Sequence, residues 1–277
     1  MDVIRSVADI RTCVGGWRAT GELVSLVPTM GALHEGHISL VHLAGERTER
    51  TVASIFVNPT QFAPHEDFTT YPRDEARDLA MLEAAGVDAV FAPNVDEMYG
   101  EAHRTVVEVQ GLGKILEGAS RPDFFAGVAT VCAKLLIQVG PDVAVFGDKD
   151  YQQLCVIRAM ARDLNLPVEI LGGETIRESD GLAMSSRNSY LTNTERTLAP
   201  KLHHEIVGVA KRVAGGGAIE EACADASQEL DQAGFSSIDY IAVRDAETLE
   251  TPAAGRPLRV LAAAWLGKTR LIDNVAV

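Results

Sequence analysis

His34 and His37 stand three residues apart in the segment Thr29-Met30-Gly31-Ala32-Leu33-His34-Glu35-Gly36-His37. At that spacing on a helix, two side chains share one face, so both imidazoles can meet one ligand. Imidazoles donate hydrogen bonds in either charge state, which suits a phosphate whose negative charge grows during reaction. A helix N-terminus adds free N–H groups and a positive dipole end. Gly31 and Gly36 let a ligand come close to the backbone. The context of strand, glycine turn and helix start favours this chemistry over two polar histidines on a solvated turn. Zinc fits less well, because H-E-x-x-H places its histidines four apart and here His34-Glu35 is followed by His37.

Three further clusters carry polar chemistry. Gly147-Asp148-Lys149-Asp150 lies between an apolar run and a helical pattern, where a lysine and a carboxylate can grip a nucleotide's phosphate and ribose. Met184-Ser185-Ser186-Arg187-Asn188 offers two hydroxyls and a guanidinium, a combination suited to polyphosphate. Gln61 and Gln153 are neutral amides that can hold a hydroxyl or carboxylate without adding charge. Common phosphate loops are excluded. Gly267-Lys268-Thr269 ends like a Walker A loop, but Ala262 occupies the position of its first glycine, and no G-x-G-x-x-G follows a strand. Nucleotide binding must therefore use the His-Gly turn.

The elements that hold these clusters follow from periodicity and breakers. Apolar, β-branched runs predict strands over 22–27 (ended by Pro28), 51–57, 87–91, 142–146 and 167–171. Helical patterns are predicted over 38–48, 74–86, 128–139 and 151–164, with Gly86 and Gly140-Pro141 as stops. Alternating strands and helices imply βαβ crossovers and a mostly parallel sheet covered on both faces, an α/β Rossmann-like, doubly wound architecture. Ligands in such sheets collect beyond the carboxyl ends of the strands, and the polar clusters follow strand ends. After about residue 175 the pattern changes to helices over 195–213 and 219–234, then strands over 238–243, 258–265 and 270–273. That order predicts a smaller α+β domain with an antiparallel sheet. The expected division is 1–175 and 176–277, with the boundary inside 172–186.

Composition narrows the function class. The 277 residues carry 25 Lys plus Arg against 39 Asp plus Glu, a net charge of −14. Nucleic-acid phosphates and anionic membranes attract clustered cations, so neither is the expected partner. An apolar fraction of 47% with 23% charged residues predicts a folded globular chain rather than disorder. No apolar run reaches the ~18 residues of a membrane helix, and Met1-Asp2-Val3-Ile4-Arg5 lacks the pattern of a secretory signal. Cys13, Cys132, Cys155 and Cys223 are scattered, so neither a zinc site nor a disulfide framework is expected, and a reducing cytoplasm fits.

Together the motifs resemble one family. Pro28-Thr29-Met30-Gly31-Ala32-Leu33-His34-Glu35-Gly36-His37 resembles the HIGH-type signature of the nucleotidylyltransferase superfamily. Met184-Ser185-Ser186-Arg187 resembles the KMSKS signature of class I aminoacyl-tRNA synthetases. Four further stretches have wording similar to the pantoate–β-alanine ligase family. They are Phe56-Val57-Asn58-Pro59-Thr60-Gln61-Phe62, Tyr71-Pro72-Arg73, Gly147-Asp148-Lys149-Asp150-Tyr151-Gln152-Gln153 and Arg187-Asn188-Ser189-Tyr190-Leu191. The likeness runs from about residue 23 to Thr269-Arg270-Leu271-Ile272-Asp273-Asn274.

The resemblance implies an ATP- and Mg²⁺-dependent ligase. Pantoate is adenylated with release of pyrophosphate, and β-alanine then displaces AMP to give (R)-pantothenate. It implies ATP contacts from Met30, Gly31, Ala32, Leu33, His34, Glu35, Gly36 and His37, from Gly147, Asp148, Lys149 and Asp150, and from Met184, Ser185, Ser186 and Arg187, with Ile176 at the adenine. Gln61 and Gln153 hold pantoate, and Gln61 also lies near β-alanine. His34, His37, Lys149 and Arg187 are the positive partners for charge at phosphorus; the Mg²⁺ ligands stay open. The first domain is then the nucleotide- and pantoate-binding one, and the smaller domain a partial lid in a cytoplasmic homodimer. Arg121-Pro122-Asp123-Phe124-Phe125-Ala126-Gly127-Val128 departs from the family, with Phe124 and Ala126 replacing a usual His and Arg. Asp148 stands where Glu is common, and Ile176 where Val is usual. Two other readings share the His-Gly turn: a nucleotidyltransferase without an amine step, and a non-catalytic nucleotide-binding module.

Overall fold

The structure, a computed structural model, describes residues 1–64 and 66–277. Its elements run β1 (Asp2–Ile4), α1 (Val7–Ala19), β2 (Val24–Thr29), α2 (Glu35–Gly45), β3 (Arg50–Ile55), α3 (Glu75–Ala84) and β4 (Ala89–Phe91). Then follow α4 (Val95–Tyr99), α5 (Glu117–Ser120), α6 (Phe124–Val139), β5 (Val143–Gly147), α7 (Tyr151–Asp163) and β6 (Glu169–Gly173). The chain ends with α8 (Asn193–Leu198), α9 (Lys201–Ala214), α10 (Ile219–Gln232), β7 (Ser237–Asp245), β8 (Leu258–Leu266) and β9 (Thr269–Ala276). Among the described residues, no helix is long and apolar enough to cross a membrane.

Contacts divide the chain into two units: Met1–Asp148 with Val156–Glu174, and Lys149–Cys155 with Thr175–Val277. In the first unit six strands form one sheet in the order β1-β4-β3-β2-β5-β6, every pairing parallel. Leu26, Val27, Val52, Ala53, Val90, Phe91, Ala144 and Val145 are fully enclosed, as expected when helices cover both faces of a parallel sheet. The predicted α/β class is thus observed.

The elements differ from the sequence reading at several places: α4 and α5 have no predicted counterpart, α6 begins at Phe124 rather than 128, and four further differences have a physical reason. β2 runs through Pro28 to Thr29 instead of stopping. The carbonyls of Leu23 and Thr29 accept from β3, whereas Val24 faces β5, so alternation turns the nitrogen of Pro28 towards β5. Pairing with β5 stops at Leu26, and no ladder bond is lost. α2 starts at Glu35, not 38, because His34 caps it. The predicted helix over 195–213 is two helices, broken where Pro200 lacks an N–H. β1 and α1 carry no strong signal: β1 has three residues and α1 contains Gly15-Gly16. α1 nevertheless forms, capped by Ser6 accepting from the Asp9 N–H and burying Ile10 and Val14 one turn apart.

In the second unit β7, β8 and β9 form an antiparallel sheet. One face, with Val243, Val260, Ala262, Ala264 and Leu266, packs on Leu202, Ile206 and Val209 of α9 and Ala222, Ala226 and Leu230 of α10. This is the helices-then-strands layer that the sequence order predicts.

Candidate active site

In the sheet of the first unit the chain leaves β2 towards β3 on one side, while β5 pairs on the other. The order reverses there, and the crevice beyond such a switch point is where open α/β sheets hold ligands. The two turns leaving that point are the His-Gly turn after β2 and Gly147-Asp148 after β5.

The His-Gly turn is built by long-range bonds. Thr29 Oγ1 donates to the Ser54 carbonyl at 2.7 Å and accepts the Gly31 N–H at 3.2 Å. Gly31 (φ 79°) and Ala32 (φ 52°) are left-handed. The N–H groups of Ala32 and Leu33 both reach the buried carboxylate of Asp78 on α3, at 2.8 Å each. Convergent backbone N–H groups make an anion-binding hollow, and here the protein fills it with its own carboxylate. A Cβ on Gly31 would lie 2.8 Å from Asp78 Oδ2, so a glycine is required on both steric and torsional grounds. Leu33 itself is a core residue, 1% exposed.

The turn ends in an unusual helix cap. His34 Nδ1 accepts the Gly36 N–H at 3.1 Å, and His37 Nδ1 accepts the His34 N–H at 3.3 Å. This is a capping box in which two imidazoles replace Ser/Thr and Glu. With Nδ1 acting as acceptor, each neutral ring carries its proton on Nε2. The two rings lie 4.1 Å apart between centroids, tilted 45° to one another, so the backbone bonds orient a pair of Nε2 donors together. Glu35 is exposed in the first turn of α2.

Gln61 meets the same turn. Its Nε2 donates to Met30 Sδ at 3.2 Å, and its Oε1 accepts from Asn58 Nδ2 at 2.9 Å. Asn58 is 1% exposed; its Oδ1 accepts from Thr60 and from the Tyr99 hydroxyl, the latter at 2.7 Å. A Cβ on Gly127 of α6 would run into the Thr60 carbonyl, so this glycine permits the close approach of helix and loop. Arg121 donates to the Gln61 carbonyl at 3.3 Å and pairs with Glu66 at 2.6 Å. Its guanidinium lies 3.7 Å over Phe124. Phe124, the departure noted above, therefore stacks on the arginine that braces the Gln61 loop.

The second unit holds the remaining candidates. Lys149 sits in the short 3₁₀ turn 148–150, with Nζ 3.8 Å from Asp150 Oδ2. Gln153 follows in the first turn of α7, partly buried. A hairpin joins the other two sets: Arg177 bridges Ala183, and the Met184 N–H bonds the Ile176 carbonyl at 2.9 Å. Ile176 and Met184, eight positions apart, thus become neighbours. Ser185 Oγ accepts the Arg187 N–H at 3.3 Å and starts the 3₁₀ turn Ser186–Tyr190. Asn188 Nδ2 closes the segment on the Ala183 carbonyl at 3.1 Å.

Sequence reasoning missed Asp78, the structural work of Asn58, and the network of β9. Asp273 on β9 is buried yet its carboxyl is held below the usual carboxylate range. Burial alone pushes it up, but His203, Arg177 and the Asn274 N–H together outweigh that. Burial pushes the thiols of Cys13, Cys132 and Cys223 up, Cys132 to about 12, the opposite of activation. Among the described residues no His, Cys, Asp and Glu group forms a metal cage.

A parallel α/β sheet with an imidazole-capped helix at its switch point places the first unit in the Rossmann-like class of α/β folds. The family model for pantoate–β-alanine ligase matches residues 2–276. Pantothenate synthetase of Caulobacter vibrioides is 55% identical over 280 residues, covering 99% of this chain and 98% of that protein. That of Paramagnetospirillum magneticum is 57% identical, covering 99% and 97%. The crystal structure of pantothenate synthetase from Thermus thermophilus superposes with a TM-score of 0.91 at 46% identity, covering 99% of each chain. The Francisella tularensis pantoate–β-alanine ligase, crystallised with β-γ ATP and β-alanine, gives a TM-score of 0.85 at 31% identity over 100% of this chain and 97% of that one. The chain belongs to the pantoate–β-alanine ligase family.

Proposed function

We propose that this enzyme condenses (R)-pantoate with β-alanine to (R)-pantothenate through a pantoyl adenylate. A carboxylate is a poor acyl donor. Attack of its oxygen on the α-phosphorus of ATP expels pyrophosphate and leaves AMP as a good leaving group on the acyl carbon. The β-alanine amine then attacks that carbon, forming the amide and releasing AMP. The single observation that supports this most is the imidazole-capped helix at the switch point, with Met30 of the same turn touching Gln61.

In this reading the Nε2 donors of His34 and His37, with Lys149 and Arg187, meet the charge that builds on the phosphate oxygens. Loss of one such donor costs on the order of 10²–10³ in rate. Met30, Gly31, Ala32, Glu35 and Gly36 of the His-Gly turn, Gly147, Asp148 and Asp150, and Met184, Ser185 and Ser186 contact ATP, with Ile176 at the adenine; Leu33, expected there too, is held in the core and serves the turn from behind. The Ala32 and Leu33 N–H groups already bond Asp78. Gln61 and Gln153 hold pantoate through neutral amides, which leaves the nucleophilic carboxylate unpaired with a cation, and Gln61 also serves β-alanine. Mg²⁺ would accompany ATP and offset charge on its phosphates. We assign the enzyme to the cytoplasm, in keeping with cysteines scattered along the chain, and its working form to a homodimer.

The test is pyrophosphate and AMP release with each substrate omitted in turn. Pantoate with MgATP should release pyrophosphate, and amide product should need β-alanine. No pantoate-dependent pyrophosphate release would refute the proposal. Single-turnover adenylation by His37→Ala should slow far more than ATP affinity weakens; a pure binding defect would remove His37 from the chemical step.

A further inference from the structure

We infer that Asn274 of β9 is a positioning residue for Lys149. The inference rests on the reading of Lys149 as a triphosphate contact.

Lys149 lies on a turn of three residues between a strand and a helix, and its side chain makes a loose ion pair with Asp150 at 3.8 Å. What fixes the turn is its backbone: the Lys149 carbonyl accepts from Asn274 Nδ2 at 2.9 Å. Asn274 is 3% exposed and is itself held at its other end, where Oδ1 accepts from Arg259 Nε at 2.6 Å. The Arg259 guanidinium stacks 3.8 Å over the Tyr151 ring, and the Tyr151 hydroxyl donates to the Ala246 carbonyl at 2.7 Å. Both ends of one amide thus join the Lys149 turn to the terminal sheet.

The neighbouring residue works the other way. Successive side chains of a strand point to opposite faces. Asn274 stands opposite Leu261, and Asp273 opposite Ala262, whose side belongs to the α9–α10 core. On that face Asp273 takes Arg177 in a two-pronged pair at 2.7 and 2.9 Å, with His203 Nδ1 at 3.2 Å. Arg177 follows Ile176 and also donates to the Gly181 carbonyl at 3.1 Å, holding the hairpin that leads to Met184 and Arg187. The Asp273-Asn274 pair therefore grips two chain segments, one from each face of a single strand. Neither residue belongs to the residues assigned to substrate.

Asn274→Asp separates positioning from folding. It keeps the acceptor for Arg259 and removes the donor to the Lys149 carbonyl, setting oxygen against oxygen. The expected result is a loss of about tenfold or more in kcat for pantoate-dependent pyrophosphate exchange, since small misplacements of a reacting group are costly. The second half-reaction, from pre-formed pantoyl adenylate and β-alanine, should change by less than about twofold. In a Lys149→Ala background the same change should add less than about twofold, because residues acting through one group are not additive. Independent, multiplicative losses in the double variant, or equal losses in both half-reactions, would overturn the inference. Full adenylation by Lys149→Ala alone would instead remove Lys149 from the site, and the inference with it. If Asn274→Asp does not fold, Arg259→Gln loosens Asn274 through its other end. A loss confined to adenylation supports positioning, and a loss in both half-reactions overturns it.

Discussion

Asp78→Asn is the most informative single change outside the residues assigned to substrate. The native carboxylate is 2% exposed and takes two backbone N–H groups at 2.8 Å each. Hydrogen bonds to a charged partner contribute about 1.5–3 kcal/mol each. Asparagine has one oxygen, so it can satisfy one N–H while its amide NH₂ faces the other. One bond is lost and one backbone donor is left unsatisfied, which by itself costs about 1–3 kcal/mol. The expected loss is about 3 kcal/mol, a large share of the 5–15 kcal/mol typical of a folded domain. The effect on rate has a separate origin. Ala32 is left-handed at φ 52°, a conformation unfavourable for a residue with a Cβ. Freed from Asp78, the turn relaxes and the His34 cap two residues on shifts, for an expected fall of about 10²-fold in adenylation. Urea unfolding and pantoate-dependent pyrophosphate exchange read the two effects. Stability within about 0.5 kcal/mol of the parent, with full exchange, would refute the reasoning.

Two further outcomes follow from other contacts. Gly127→Ala drives a methyl into the Thr60 carbonyl; overpacking of this kind costs about 1–3 kcal/mol, and displacement of Gln61 should raise the KM for pantoate more than that for ATP, as thermal melts and initial rates will show. The pH profile of stability should carry the mark of Asp273. Its folded pKa is lowered, so the stability it contributes is fully present above the unfolded carboxylate value of about 3.9 and is lost as pH falls through the lower folded value. Acid titration followed by Trp265 fluorescence should show a shallower loss below about pH 4 in Asp273→Asn; an unchanged slope would contradict the assignment.

The sequence carried the pattern-bearing parts of this protein. Apolar runs and their breakers predicted the middle strands of the parallel sheet, because burial on both faces demands continuous apolar residues. The change of pattern near 175 announced the smaller antiparallel sheet. The His-Gly turn was legible because residue types at close spacing suffice to define it. Boundaries failed where a remote or unusual partner decided them. Pro28 stays inside β2 because β5 has already stopped pairing, and α2 begins early because an imidazole serves as its cap.

From residue types and short-range spacing alone came the α/β class, the two-part organisation of the pattern and the candidate histidines, lysine, arginine and glutamines. Only the folded chain decided which nitrogen each histidine offers, that Asp78 fills the hollow behind the turn, and that β9 holds the Lys149 turn. The reason is separation along the chain: Asp78 lies 46 positions from Ala32, and Asn274 lies 125 from Lys149. Periodicity reports what a residue shares with its near neighbours. A hydrogen bond closed over such a distance leaves no local trace and exists only once the sheet has brought its two ends together.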